Sequence, residues 1–320
     1  MNGFSVDIDG PMAAARAIHF AATALTAGGL LFRAAIATPA LRSAPEESVV
    51  IDAQIRWITW IGLIVTVVSG AIWLLLQTSS MSGETYGEAV MSGAIITVLD
   101  ETQFGLVSAI RLALSAVLAI CLAYDRPGLS RWLSLGTSLC LVAGLAWTGH
   151  AASTIGNLGY LHLTADVLHL CAAAAWIGGL LPLALLLGCG RRAGDLAWAP
   201  LEYDAISRFS LVGIASVATL IASGFVNAWI LVGSVRGLVM TGYGWLLLSK
   251  VSVFVVMVAL AAVNRFRLTP LLALAPEDEA PHTALKQLTH NVVIEIALGV
   301  AIYAIVGVLG MQHPAVHLVR

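Results

Sequence analysis

Two histidines, His19 and His169, lie inside long apolar runs, and each is followed after eight residues by a glycine pair, Gly28-Gly29-Leu30-Leu31 and Gly178-Gly179-Leu180-Leu181. An ionisable ring in an apolar run is costly to bury and marks a candidate functional site. Around the second histidine, His162, Asp166, His169 and Trp176 are spaced four, three and seven apart, which puts them on one face of a helix. At ~1.5 Å per residue, His169 lies about 10 Å deeper than His162. Imidazole and thioether suit copper, and imidazole also suits zinc or haem iron. A plainer use of the same residues is a hydrogen-bonded contact between helices, with Asp166 neutralising Arg111 or Lys250.

The pattern extends along the chain in order. Ser69-Gly70 matches Ser223-Gly224, and Phe104-Gly105 with Arg111 six residues on matches Tyr243-Gly244 with Lys250 six residues on. Gly144 with His150 matches Gly307 with His313, and Met12 and Arg16 stand where the second copy has His162 and Asp166. This predicts a duplication, residues 1–150 and 151–320, with His19 and His169 at one depth and His150 and His313 at the outer ends of the fourth and eighth helices. Arg111 and Lys250 are fixed positives beside the candidate site, or side chains that snorkel to the interface. Arg208, Asn264, Arg265 and Glu295 form an inner set, an interfacial charge network or a gate. The glycine pairs admit close helix approach, or room for a flat cofactor.

These residues need helices to hold them, and composition supplies them. The chain has 320 residues, 59% hydrophobic and 11% charged, which predicts an all-α polytopic membrane protein. Eight runs reach the ~20 residues of a spanning helix: roughly 12–38, 55–77, 104–124, 130–150, 163–189, 207–233, 243–264 and 291–312. Alternate connections collect Arg33, Arg42, Arg56, Arg126, Arg131, Arg191, Arg192, Arg208, Arg265, Arg267 and Lys286, whereas 78–103 and 151–162 have no Lys or Arg and 234–242 only Arg236. The positive-inside rule then places both termini outside, in the periplasm of a Gram-negative host. Four spans per half make the two repeats parallel. Asp7 and Asp9 with no basic n-region argue against a cleaved signal peptide. The four cysteines fall within spans or at their inner ends, so no disulfide framework is expected. No nucleic-acid signature and no P-loop appear.

Thr102-Gln103-Phe104-Gly105 with Arg111, Gly149-His150-Ala151, Asp166 to His169, Trp176-Ile177-Gly178-Gly179-Leu180, Arg208-Phe209-Ser210, and Tyr243-Gly244 through Lys250 to Asn264-Arg265 together resemble the bacterial copper-resistance D family (CopD/PcoD). The resemblance spans the third to seventh helices. It implies an inner-membrane protein of eight spans that moves copper, usually inward, with a periplasmic copper-binding protein of the CopC type as donor. Some relatives carry that donor as a fused domain; with no β-rich segment here, a separate partner is implied. His150, Asp166 and His169 would be functional positions, while the modest outer methionine content departs from a Met-based Cu(I) intake. The leading expectation is a copper permease, not an enzyme, receiving copper at His150, His162 and His313 and passing it to His19 and His169, with Asp166 supplying charge. Two other readings stay open: a b-type haem electron carrier with His19 and His169 as axial ligands, and a non-transporting copper sensor or assembly factor.

Overall fold

A computed structural model describes residues 9–42, 44–124, 128–193, 198–273 and 282–318. Asp7 and Arg126, used above for the signal-peptide and orientation readings, lie outside them. Eight helices are long and apolar enough to cross a membrane: α1 (Gly10–Ala40), α2 (Pro45–Ser82), α3 (Gln103–Ala123), α4 (Leu129–Thr148), α5 (Gly156–Gly190), α6 (Pro200–Val232), α7 (Gly242–Leu272) and α8 (Thr283–Leu309). All eight expected spans are therefore present. α2 runs far beyond the expected 55–77, because hydropathy marks only the stretch that matches hydrocarbon, whereas the backbone ladder continues through polar turns at both ends.

α1 and α5 form the centre. The apolar window of α1 is 67% buried and that of α5 56%, against 6% for α7, whose mean hydropathy of 2.5 is spent on the outer surface. α1 packs on α2, α4, α5 and α8; α5 packs on α6, α4, α1 and α8. α3 lies against α2 and α4, and α7 against α6 and α8. Exposed apolar residues such as Ile64, Leu112, Ile120 and Val255 cover the outside, as a lipid-facing surface requires.

The glycine pairs set the central crossing. A methyl group on Gly28 would collide with the main chain of Ala174 and Gly178, and one on Gly178 with that of Ala24, so α1 and α5 meet backbone to backbone. The second glycine of each pair faces the other way, Gly29 against Thr59 of α2 and Gly179 against Phe209 of α6. The pairs thus serve helix approach. Gly144 and Gly307 do not share surroundings: Gly144 meets the Arg111 side chain, Gly307 the main chain of Ala13.

Matching caps begin α3 and α7. Thr102 accepts from the Gly105 N–H at 2.9 Å, and Thr241 from the Gly244 N–H at 3.0 Å. The connection before α3 is not an irregular loop but two short helices, Tyr86–Met91 and Ala94–Glu101; the one before α7 is Val235–Met240. Wide π-turns, Arg33–Ala37 and Asn264–Leu268, precede Pro39 and Pro270. There the hydroxyls of Thr38 and Thr269 donate to the carbonyls of Arg33 and Asn264, each at 2.8 Å, the same carbonyls that the threonines' own backbone N–H groups reach. All four cysteines are free thiols.

Candidate functional site

His19 is carried by α1 and buried. Its Nε2 lies 2.7 Å from an Arg111 Nη of α3. A guanidinium only donates, so Nε2 accepts and the ring proton is assigned to Nδ1. Nδ1 then donates to Ser69 Oγ of α2 at 3.1 Å, and the Ser69 hydroxyl in turn donates to the Val65 carbonyl. Arg111 is held further by the Leu141 carbonyl of α4 and by Thr23 Oγ at 3.3 Å. Trp73 packs edge-on to His19 with centroids 5.5 Å apart, and the Arg16 guanidinium lies 4.7 Å from the Trp73 ring centre.

The second cluster uses the same parts on α5, α6 and α7. His169 Nδ1 lies 3.0 Å from Ser223 Oγ, which donates to the Thr219 carbonyl, and Nε2 lies 3.4 Å from Lys250 Nζ. Gly70 and Gly224 leave room for the two rings: a methyl on either would sit 3.0 Å from His19 Cε1 or 3.5 Å from His169 Cε1. Here an acid joins in. Asp166 Oδ1 accepts from Asn227 Nδ2 at 3.1 Å, and Lys250 and Asp166 attract one another electrostatically. The polar stripe of α5 thus faces α6, except that His162 turns to Thr154. His19 and His169 bond to different helices, each within its own half.

A third group lies at the end of the bundle where α4 stops and α5 begins. His150 opens the 3₁₀ turn His150–Ser153 beyond α4. Its Nε2 is buried without a hydrogen-bond partner, and its ring stands 6.3 Å from Tyr243. Burial first, then the charge of Arg16 and the neighbouring His162, hold its pKa below the ordinary 6.5. His162 is buried, with Nδ1 2.8 Å from Thr154 Oγ. Met12 is buried in the apolar cluster that also holds Leu145 and Tyr303, with Met311 against it. His313 is exposed past the end of α8. Trp176 is buried deeper, edge-on to Phe254 at 6.0 Å, away from this third group. Among the described residues no cluster of three or more His, Cys, Asp or Glu is placed to hold a metal ion.

The inner set divides. Asn264 Nδ2 donates to Glu295 at 2.8 Å, Asn291 donates to Asn264 at 2.7 Å, and Arg265 donates to Ser210 at 2.6 Å, around a cavity of 370 Å³. Arg208 stands apart in an ion pair with Asp204 one turn earlier on α6. Residues that the spacing argument missed are Asn227, which holds Asp166, and Trp73, between Arg16 and His19. Ser69 and Ser223 were visible only as neighbours of repeated glycines; their pairing with His19 and His169 crosses between helices, where spacing along one helix gives no signal.

Eight membrane-length helices enclosing two imidazoles, each bonded to a buried cation, define a polytopic membrane protein with an ionisable interior, as membrane transport and electron-transfer proteins have. The family models of the copper resistance protein D-like N-terminal domain and of copper resistance protein D match residues 7–160 and 203–309. Copper resistance protein D of Pseudomonas syringae pv. tomato is 31% identical over 258 residues, 79% of this chain and 81% of the relative. Inner membrane protein YebZ of Escherichia coli (strain K12) is 30% identical over 250 residues, 76% of this chain and 82% of the relative. Copper transport protein CutJ of Bacillus subtilis (strain 168) is 34% identical over 206 residues, 60% of this chain but 36% of its own length. The chain belongs to the copper resistance protein D family. No solved structure gives a significant match.

Proposed function

We propose that this protein carries copper across the inner membrane, inward from the periplasm, and so serves copper homeostasis and resistance. Family membership supports the cargo, and relatives named as a copper transport protein and an inner membrane protein support the activity and the location. Two parallel four-helix repeats, 1–150 and 151–320, frame the path. Both termini face the periplasm, because the arginine-rich connections belong inside.

One observation carries the site: the buried, unbonded Nε2 of His150 beside His162 at the outer end of the bundle. A buried imidazole nitrogen with no hydrogen-bond partner, on a ring whose charged form burial disfavours, suits ligation of a soft metal, and the thioethers of Met12 and Met311 lie at the same end. His313, exposed at the mouth, meets copper first, delivered by a periplasmic protein of the CopC type. The ion then passes to His169, whose Nε2 opens when Lys250 swings to Asp166. His19 is the matching position in the first half. Without a P-loop, this chain does not drive the step by hydrolysing ATP.

The test is cellular copper, measured by mass spectrometry in cells that depend on this protein for uptake. His150→Ala and His169→Ala should each lower the protein-dependent copper at least tenfold with protein levels maintained. Unchanged copper in both variants overturns the site. A rise in copper overturns the inward direction.

A further inference from the structure

The first half of the bundle buries positive charge that its own acids do not balance. Arg16 and Arg111 are each only 6% exposed, and neither forms an ion pair among the described residues. Arg111 spends three of its five donors on neutral acceptors, the Leu141 carbonyl, His19 and Thr23. Arg16 lies on the Trp73 and Phe20 rings, with its Nε unbonded. No acidic residue of α1 to α4 is buried among the described residues, whereas Glu202 and Glu295 are buried and Asp166 half-buried in the second half. A buried cation without a counter-charge is among the costliest arrangements a membrane protein can hold.

Beside Arg111, between α2 and α3, is a cavity of 210 Å³. Arg111 and His19 form part of its wall. So do Trp73 and Thr66, each 3% exposed, whose indole N–H and hydroxyl have no hydrogen-bond partner. Val67 and Leu112 line it too and are also exposed on the outer surface, so the cavity reaches the lipid-facing side.

The geometry points to a binding site for an oxyanion, a carboxylate or phosphate group held by the free donors of Arg111, the Trp73 indole N–H and the Thr66 hydroxyl. Such a group brings the missing negative charge and supplies acceptors to two orphaned donors. The apolar walls and lateral opening fit a headgroup carried on an acyl chain; a small soluble oxyanion offers the same chemistry without the tail. This site shares the His19 wall with the copper reading, but it holds or fails on anion binding alone.

The test uses the full-length protein in nanodiscs of zwitterionic lipid, titrated with oleate in one arm and acetate in the other, with thermal unfolding as the readout. The comparison is the near-isosteric pair Trp73→Phe with Thr66→Val, which removes both orphaned donors and keeps the shape. Saturable stabilisation of the wild type by oleate alone, weakened at least tenfold in the double variant, supports an amphiphile. The same result with acetate supports a soluble oxyanion. Thr66→Ser, which restores a hydroxyl, should bind like the wild type and serves as the folded control. No saturable effect from either anion, or equal effects in wild type and double variant, overturns the proposal.

Discussion

The clusters around His19 and His169 share a plan and differ in how the cation is held. In both, a serine of the neighbouring helix fixes the ring proton on Nδ1, the glycine after it makes room for the ring, and a cation from the next helix faces Nε2. In the first half that cation is an arginine at 2.7 Å, fastened to α1 and α4 by further bonds, and the position one turn before the histidine is Arg16. In the second it is a lysine at 3.4 Å, and the equivalent position is Asp166, which Asn227 holds ready. A guanidinium with several planar bonds is a strut, whereas an ammonium between an imidazole and a carboxylate has two places to rest. The first cluster is held rigidly, whereas the second has a cation with two partners. Among the described residues only the second imidazole has a carboxylate beside its cation.

The largest expected effect comes from making the second half resemble the first. Lys250→Arg places a fork where a single ammonium now moves, so Nε2 of His169 stays capped by a charge-assisted hydrogen bond. Such a bond contributes about 1.5–3 kcal/mol, which predicts roughly a ten- to hundredfold fall in copper transport. Copper flux into proteoliposomes measures it. The reciprocal Arg111→Lys unbonds the Leu141 carbonyl and should lower thermal stability more than flux. Equal losses of flux in the two variants would break the distinction between strut and shuttle.

Serine removal sharpens the same contrast at smaller scale. Ser223→Ala takes away the acceptor that selects the Nδ1–H tautomer, and a neutral hydrogen bond of about 1 kcal/mol corresponds to about fivefold in copper affinity. Ser69→Ala should leave copper affinity closer to the wild type, because its ring is capped by Arg111 in either case. Competition against a copper chelator reads both, and a larger loss in Ser69→Ala would reverse the assignment of the halves.

The number of spans, the paired histidines and the glycine pairs were legible because each rests on a local rule: the length of apolar runs, or the rarity of an ionisable ring within one. The backbone contact of Gly28 with Gly178 follows the small-residue rule for membrane helices directly. The partners of the polar groups were less legible. Asp166 was expected to neutralise Arg111 or Lys250; it joins Lys250 and Asn227, because α6 and α7 bring those groups to its face of α5. Spacing along one helix says which residues share a face, not which neighbour that face meets. His150 and His313 sit at matched places in the chain, yet one ring is half-buried beside Tyr243 while the other is exposed. The turn after a helix, which sequence periodicity does not describe, decides that difference.

The smallest expected effect concerns the outer connections, where the halves differ most in sequence. Tyr86–Met91 is capped by a box in which the Thr85 N–H and hydroxyl donate to Glu88 at 2.9 and 2.7 Å. Those bonds favour the ionised carboxylate and hold the Glu88 pKa below the ordinary 4.5. Its contribution is therefore complete above pH 4.5 and is lost as pH falls through the lowered value. Val235–Met240 is capped by Ser234, whose hydroxyl accepts from the Gly237 N–H at 3.0 Å and does not titrate in this range. Amide-exchange protection, corrected for the intrinsic rate, should fall at acid pH in the first short helix and hold in the second. Glu88→Gln should reproduce that fall at neutral pH, since a neutral amide accepts less strongly than a carboxylate. Parallel loss of protection in both helices on acidification would show that bundle opening, not this cap, sets the acid response.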